Sequence, residues 1–238
     1  MIVHLLTPGR ISYADGLALQ QRVIAERKTS ERGASDREDT LILCEHPPVL
    51  TLGRNATRAN VLLTEEQLAA RGAELHVVNR GGDVTYHGPG QLVGYPIFDL
   101  RGEHLAQLKP GRRGPHLGPV DFIRLLEEVL IQTCGNFGVP AQRIAGRTGV
   151  WTIASGQLEE KKLAAIGIHV SAGITSHGFA LNVSTDLRDF AWIVPCGIAD
   201  RGVTSLELES PTPPTFDQAL NAVARNFGRI FHAQVLAA

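Results

Sequence analysis

Cysteine is scarce in this chain. Cys44, Cys134 and Cys196 are the three in 238 residues, an odd number with no Cys-x-x-Cys pair among them. That count excludes a disulfide-built scaffold and a cysteine-rich zinc site, and it points to a reducing, cytoplasmic setting. Aromatic residues make up only 5% of the chain, which leaves no row of rings on which unpaired bases could stack. Net charge is −1, so no long-range field draws in nucleic acid or an anionic membrane. No apolar run approaches the roughly 20 residues of a membrane helix. The opening Met1-Ile2-Val3-His4-Leu5-Leu6-Thr7-Pro8 has neither a basic region nor a long apolar one, so no secretory signal is expected. A Walker-type loop, a dinucleotide fingerprint and a His-Glu-x-x-His helix are missing too, and neither a nucleotide nor a metal is expected.

What is present suits one domain across residues 1–238. Hydrophobic residues are 43% of the chain, enough to bury a sizeable core at this length. Capping patterns open three helices: Ser12-Tyr13-Ala14-Asp15 for a helix to about Arg27, Thr64-Glu65-Glu66-Gln67 for a short one stopped by Gly72, and Thr215-Phe216-Asp217-Gln218 for the last. Phe122, Leu125, Leu126, Val129 and Leu130 recur at helical spacing and form a core-facing stripe ending near Gly135. Cys134, at its end, reads as packing. Short apolar runs predict strands at the N-terminus and at Leu41–Cys44, Val49–Leu52, Leu75–Val78, Leu92–Phe98, Gly149–Ile153, Lys162–Val170 and Gly178–Val183. The charged stretch Lys28–Asp39 and the Gly- and Pro-rich Gly102–Pro119, which holds Lys109, Arg112 and Arg113, read as surface loops. Strands and helices interleave irregularly, and the fold class expected is α/β (α+β), a mixed β-sheet with flanking helices.

One stretch stands out: Arg80-Gly81-Gly82-Asp83-Val84-Thr85-Tyr86-His87-Gly88-Pro89-Gly90-Gln91, four glycines and a proline between two strand-like runs. Glycine lets backbone N–H groups approach a ligand, and a polar loop held by strands is a natural binding site; an elaborate turn is the plainer reading. A second candidate is Cys196, with the stiff Pro195 before it and Gly197 after it, since a stiff loop can present a thiol rather than pack it, with plain packing the alternative. A free thiol is mostly protonated at neutral pH, so attack needs a base or a nearby cation. His46, His76, His87, His169 and His177 are available for a Cys–His pair, and Lys162 is unusual in opening an otherwise apolar strand. The ordinary fate of such a lysine is a solvated hairpin end.

The glycine stretch resembles the signature of the lipoyl(octanoyl) transferases. Three more segments resemble the same family in the same order: Glu45-His46-Pro47-Pro48-Val49 with Thr51-Leu52-Gly53-Arg54; Lys162-Leu163-Ala164-Ala165-Ile166-Gly167; and His177-Gly178-Phe179-Ala180-Leu181-Asn182-Val183 with Ile193-Val194-Pro195-Cys196-Gly197. Together they span about residues 41 to 206. The resemblance implies a biotin/lipoate protein ligase-like fold and an octanoyl-[acyl-carrier-protein]:protein N-octanoyltransferase with no cofactor. It implies Cys196 as the residue that takes the octanoyl group as a thioester and Lys162 as its catalytic partner. An acyl pocket is implied along Arg80, Gly81, Gly82, Asp83, Val84, Thr85, Tyr86 and His87, along Ala165, Ile166 and Gly167, and along Gly178, Phe179 and Ala180. The implied partners are octanoyl-acyl-carrier protein as donor, with the apo lipoyl domains of 2-oxoacid dehydrogenase complexes and the glycine cleavage H protein as acceptors. Two rivals remain at this stage. An ATP-dependent ligase on the same scaffold would not need a cysteine nucleophile, and a non-catalytic lipoyl-domain binder would not need both Cys196 and Lys162. The loops at 28–39 and 102–119 look longer than is usual in the family, and Arg112 and Arg113 could meet an acidic carrier protein.

Overall fold

A computed structural model describes residues 1–29, 39–108, 116–154, 159–194 and 201–238, with the side chains of Lys28 and Thr29 excepted. In chain order the strands are β1 (Ile2–Arg10), β2 (Asp39–Glu45), β3 (Val49–Leu52), β4 (Glu74–Val77), β5 (Val84–His87), β6 (Gln91–Ile97), β7 (Ala141–Ile144), β8 (Arg147–Thr152), β9 (Lys162–Ser171), β10 (Ile174–Asn182) and β11 (Gln234–Ala237). The helices are α1 (Tyr13–Thr29), α2 (Glu65–Ala69), α3 (Glu103–Ala106), α4 (Pro119–Asn136), α5 (Leu206–Glu209) and α6 (Phe216–Ile230). Eight strands form one mixed sheet in the order β11-β1-β2-β6-β10-β9-β8-β7, and a second sheet has three in the order β4-β3-β5. The large sheet is parallel only across β11, β1 and β2; from β2 to β7 every pair is antiparallel.

Alternation along the central strands sorts their side chains between two faces. Leu41 and Leu43 of β2, Leu92 of β6 and Leu181 of β10 point to the face covered by α4 and α6. There Phe98, Phe122, Phe227 and Phe231 form an aromatic cluster, with Phe227 and Phe231 stacked at 4.2 Å. Ile42, Cys44, Val93, Tyr95, Ile97 and Ala180 point to the opposite face, against α1 through Val23 and Leu19. The helical stripe of α4 packs as its spacing predicts, with Phe122, Leu126, Val129, Leu130 and Cys134 all at 0% exposure. The capping boxes at Thr64 and Thr215 form in full. Ser12 caps α1 by accepting from the Asp15 amide at 3.0 Å, while its own hydroxyl donates to the Asp15 carboxylate.

Three expectations change. The glycine stretch is not one continuous loop, because Val84–His87 is strand β5, paired antiparallel with β3. Its flanking strands, β4 and β6, belong to different sheets, so the segment crosses between them. Asp39, expected to end a solvated loop, instead opens β2 with its carboxylate fully buried. It survives there because it is paired, 2.8 Å from the Arg27 guanidinium and 3.0 Å from His104. The region after Gly102 contributes to the core, since Leu105 and Leu117 are buried under the sheet. Residues 30–38 and 109–115, which include Lys109, Arg112 and Arg113, lie outside the described residues.

Candidate active site

The second face of the large sheet, the start of α1 and the small sheet enclose a cavity of about 280 Å³. One wall is β9 and β10, where Ala165 lies opposite Ala180 and Gly167 opposite Gly178. Small residues at these four positions leave a trough between the taller Val93 and Tyr95 of β6 and the segment from Arg80 to His87. The opposing wall approaches so closely that the Gly81 amide donates to the Ile168 carbonyl at 2.9 Å. A Cβ on Gly167 would sit 2.7 Å from the Gly81 carbonyl oxygen, closer than real Cβ contacts come, so this strand position requires glycine.

Arg80 holds that wall in place. Its guanidinium is 8% exposed and donates twice to the Thr51 hydroxyl and once each to the Thr51 and Gly81 carbonyls. Burial lowers its pKa below the ordinary arginine value. The backbone of Gly53, Arg54 and Asn55 donates in turn to the carbonyls of Asp83, Arg80 and Gly82, and Asn60 donates to the Asp83 carboxylate. The motif Thr51-Leu52-Gly53-Arg54 therefore acts as a clamp on the glycine segment.

Lys162 opens β9 beside Trp151 of β8, its Nζ 4.6 Å from the ring centroid. Burial, with a smaller contribution from the nearby Arg147 cation, pushes its pKa down to about 8. Among the described residues no carboxylate forms an ion pair with it. Its strand end pairs with the chain at Val203: the Lys162 amide donates to Gly202, and the Thr204 amide donates to Lys162.

Of the fourteen residues that the resemblance implies for the acyl pocket, Arg80, Gly81, Gly82, Asp83, Val84, Thr85, His87, Ala165, Ile166, Gly167, Gly178, Phe179 and Ala180 line this cavity, as does Lys162. Tyr86 does not. Its ring packs on Phe190 and Trp192 and its hydroxyl donates to Asp189 at 2.6 Å. Cys196 lies outside the described residues, which stop at Val194 and resume at Arg201. Ile193 and Val203, close to either side of that gap, both line the cavity. The other two cysteines are poor nucleophiles: Cys44 and Cys134 are buried, and burial pushes both thiols up to about 12. Cys44 Sγ lies 3.7 Å from His46 Nε2, but that nitrogen already accepts from the Tyr95 hydroxyl at 2.7 Å, and neither Cys44 nor His46 reaches the cavity.

Gln91, at the end of the glycine stretch, lines the cavity as well, and several lining residues escaped the sequence reading: Tyr13, Tyr95, Arg147, Trp151 and Asn182. Tyr13 is carried in by the cap of α1 and stands among His46, His76 and His87. Trp151, opposite Lys162 across a hairpin, was the one with a local signal. Of the histidines considered, His87 and His177 line the cavity and are neutral, burial lowering them to about 3 and about 4. His177 holds a left-handed φ of 57° and bonds Asn79 through Nε2 at 2.7 Å. His76 pairs with Glu74, and His169 is not at the cavity.

The lipoyl protein ligase A/B catalytic domain model matches residues 12–228. An octanoyltransferase of Acidobacterium capsulatum is 60% identical over 238 residues, covering 99% of this chain and 93% of its own. A Thermoplasma acidophilum protein solved with bound lipoic acid superposes with a TM-score of 0.73 at 16% identity, over 100% of this chain and 89% of its own. A bipartite lipoate protein ligase from the same organism, solved in a study with its E2 lipoyl domain, gives 0.69 at 17% identity over 100% and 86%. A match this long by the family model, with a relative this similar across nearly the whole chain, places the chain in the lipoyl protein ligase A/B catalytic domain family.

Proposed function

We propose that this chain is an octanoyltransferase, moving an octanoyl group from an acyl-carrier thioester to a lysine of a lipoyl domain by way of a thioester on Cys196. One observation carries the reading: Lys162, with an amine pKa pushed down to about 8 and no carboxylate partner among the described residues, stands on the wall of an acyl-sized trough. An octanoyl chain extends about 9 Å, and the strand rise of about 3.3 Å per residue makes the run from Lys162 through Ala165 toward Gly167 long enough to hold it. The name of the Acidobacterium relative and the lipoic acid in the Thermoplasma structure support the same substrate class. The E2 lipoyl domain studied with the second Thermoplasma protein supports a lipoyl domain as acceptor.

In the first step the neutral Lys162 amine takes the thiol proton of Cys196, the thiolate attacks the carrier thioester, and the leaving carrier thiolate regains the proton from Lys162. In the second step the acceptor lysine, as a neutral amine, attacks the Cys196 thioester. A C–N bond forms, the C–S bond breaks, and the nitrogen's proton passes by Lys162 to the departing Cys196 thiolate. The first exchange is close to neutral in energy and the second, thioester to amide, is downhill, so no ATP is consumed. Backbone N–H groups near the cavity rim would meet the tetrahedral oxyanion. Intact-mass measurement after mixing with octanoyl-carrier protein should show one octanoyl adduct, absent in Cys196→Ser and slow to form in Lys162→Ala. An adduct that survives Cys196→Ser, or transfer that requires ATP, would overturn the reading.

A further inference from the structure

A chain of buried amides runs from His87 to the backbone beside Lys162, and each link has only one possible direction. It starts at the Thr204 carbonyl, which can only accept; the Asn182 side chain therefore turns its NH₂ there, at 3.0 Å. That leaves the Asn182 Oδ1 facing Gln91, so the Gln91 NH₂ donates to it at 2.9 Å, and also to the Tyr86 carbonyl at 3.3 Å, a second group that can only accept. The Gln91 Oε1 is thereby fixed toward His87 Nδ1, 2.7 Å away. Nδ1 must carry the ring proton, and Nε2 keeps its lone pair. Gln91, Asn182 and Thr204 are 2%, 4% and 1% exposed, so water does not compete for these bonds. His87 lines the cavity, and its Nε2 takes no hydrogen bond from any described residue.

We infer that His87 is a further catalytic residue, whose Nε2 accepts an N–H of the incoming acceptor amine and holds that amine during aminolysis. The inference rests on the reading under Proposed function and adds to it. His87 is on the small-sheet wall and Lys162 on the large-sheet wall of the same cavity, and in this reading they hold different hydrogens of the acceptor nitrogen. It is not a base. Burial, then the neighbouring His46, lower its pKa to about 3, so it stays neutral and takes no proton. As the C–N bond forms, the nitrogen becomes ammonium-like and its N–H a stronger donor, so the contact tightens in the transition state. Lys162 remains the group that removes the proton, and the balance of the reaction is unchanged. The same amide chain reaches Thr204, whose amide donates to the Lys162 carbonyl, which couples the ring orientation to the strand end that bears Lys162.

Two measurements test this. Histidine ¹⁵N spectra of the whole protein should show His87 as the neutral Nδ1–H tautomer from pH 5 to 8, with Gln91→Leu populating the Nε2–H form. An Nε2–H tautomer in the wild-type protein would overturn the inference. In single-turnover experiments, transfer from a preformed octanoyl-enzyme to an apo lipoyl domain should slow on the order of 10- to 100-fold more than acylation does in His87→Leu. His87→Gln, which retains a donor for Gln91 and a carbonyl acceptor for the amine, should recover much of that loss. Equal losses in both steps, or wild-type transfer in His87→Leu, would sink it. A wild-type protein that forms no octanoyl adduct would instead remove the underlying functional reading, and this inference would fall with it.

Discussion

A lysine whose amine titrates near 8 destabilises the fold that holds it. The Lys162 pKa lies below its ordinary value of 10.5, so between about pH 8 and 10.5 the unfolded chain binds a proton that the folded chain lacks. Stability from this residue therefore rises with pH through that window, and below pH 8 the whole cost of burying the ammonium is present. The Trp151 ring, 4.6 Å from Nζ, offsets part of that cost by attracting the cation. Replacing Lys162 with Met should abolish transfer yet stabilise the protein at pH 7 by about 1–2 kcal/mol, a Tm rise of about 2–6 °C that shrinks toward pH 10. Thermal unfolding of both proteins from pH 6.5 to 9.5 checks this; a Met variant less stable throughout would mean that Trp151 outweighs desolvation. Kinetically, the same titration makes acylation of Cys196 rise with pH and level off above about pH 8, a limb that should vanish in Lys162→Ala.

At the level of elements, the cavity depends on two chain segments meeting across the sheets. Gly167→Ala would place a methyl group 2.7 Å from the Gly81 carbonyl, and neither partner is a flexible side-chain tip. The expected cost is about 1–3 kcal/mol, with acyl binding impaired more than folding. Thr215→Ala is the contrasting case, since it removes the cap of α6 on the far face of the large sheet: about 1 kcal/mol is lost and octanoyl transfer per folded molecule is unchanged. Chemical denaturation with a transfer assay separates the two outcomes. Elements with strong local signals were legible from residues alone: the stripe of α4, the boxes at Thr64 and Thr215, the runs of β2 and β9. β5 was hidden because Thr85, Tyr86 and His87 give no apolar run between the glycines, and its pairing with β3 is a tertiary fact. β7 and β11 are edge strands of only four residues, too short for their pattern to stand out, and are held by their neighbours. Tyr13 reads as the first residue of a helix; only the packing of α1 on the sheet turns it into a cavity wall. Lys162 and the glycine segment were visible as anomalies, whereas the Gln91–Asn182 contact spans 91 residues and has no sequence signature.

At the scale of the molecule, the two sheets differ in how firmly they are held. The large sheet is covered by helices on both faces, while the small one rests on a satellite core around Leu50, Leu68, Val84 and Tyr86. Its outer strand β4 leaves Val77 83% exposed. Among the described residues it is tied to the large sheet by Gly81 to Ile168, by Asn79 to His177, and by Gln91 to His87 and to the Tyr86 carbonyl. A sheet resting on a satellite core this small opens locally at free energies below global unfolding. An acyl chain in the trough would touch both sheets at once and bind only the closed arrangement, so it stabilises the small sheet by mass action. Amide exchange should therefore be faster in β4, β5 and residues 80–83 than in β2, β6 and β10 of the free protein. Once Cys196 carries an octanoyl group, exchange in the small sheet and at Gly81 should slow at least several-fold, with the α4–α6 face unchanged. Uniform slowing would show global stabilisation instead, and no change at Gly81 would place the acyl group outside the trough. A difference confined to the small sheet would mean that the acyl group itself closes the wall carrying His87, so the acceptor amine meets an ordered site only after the thioester has formed.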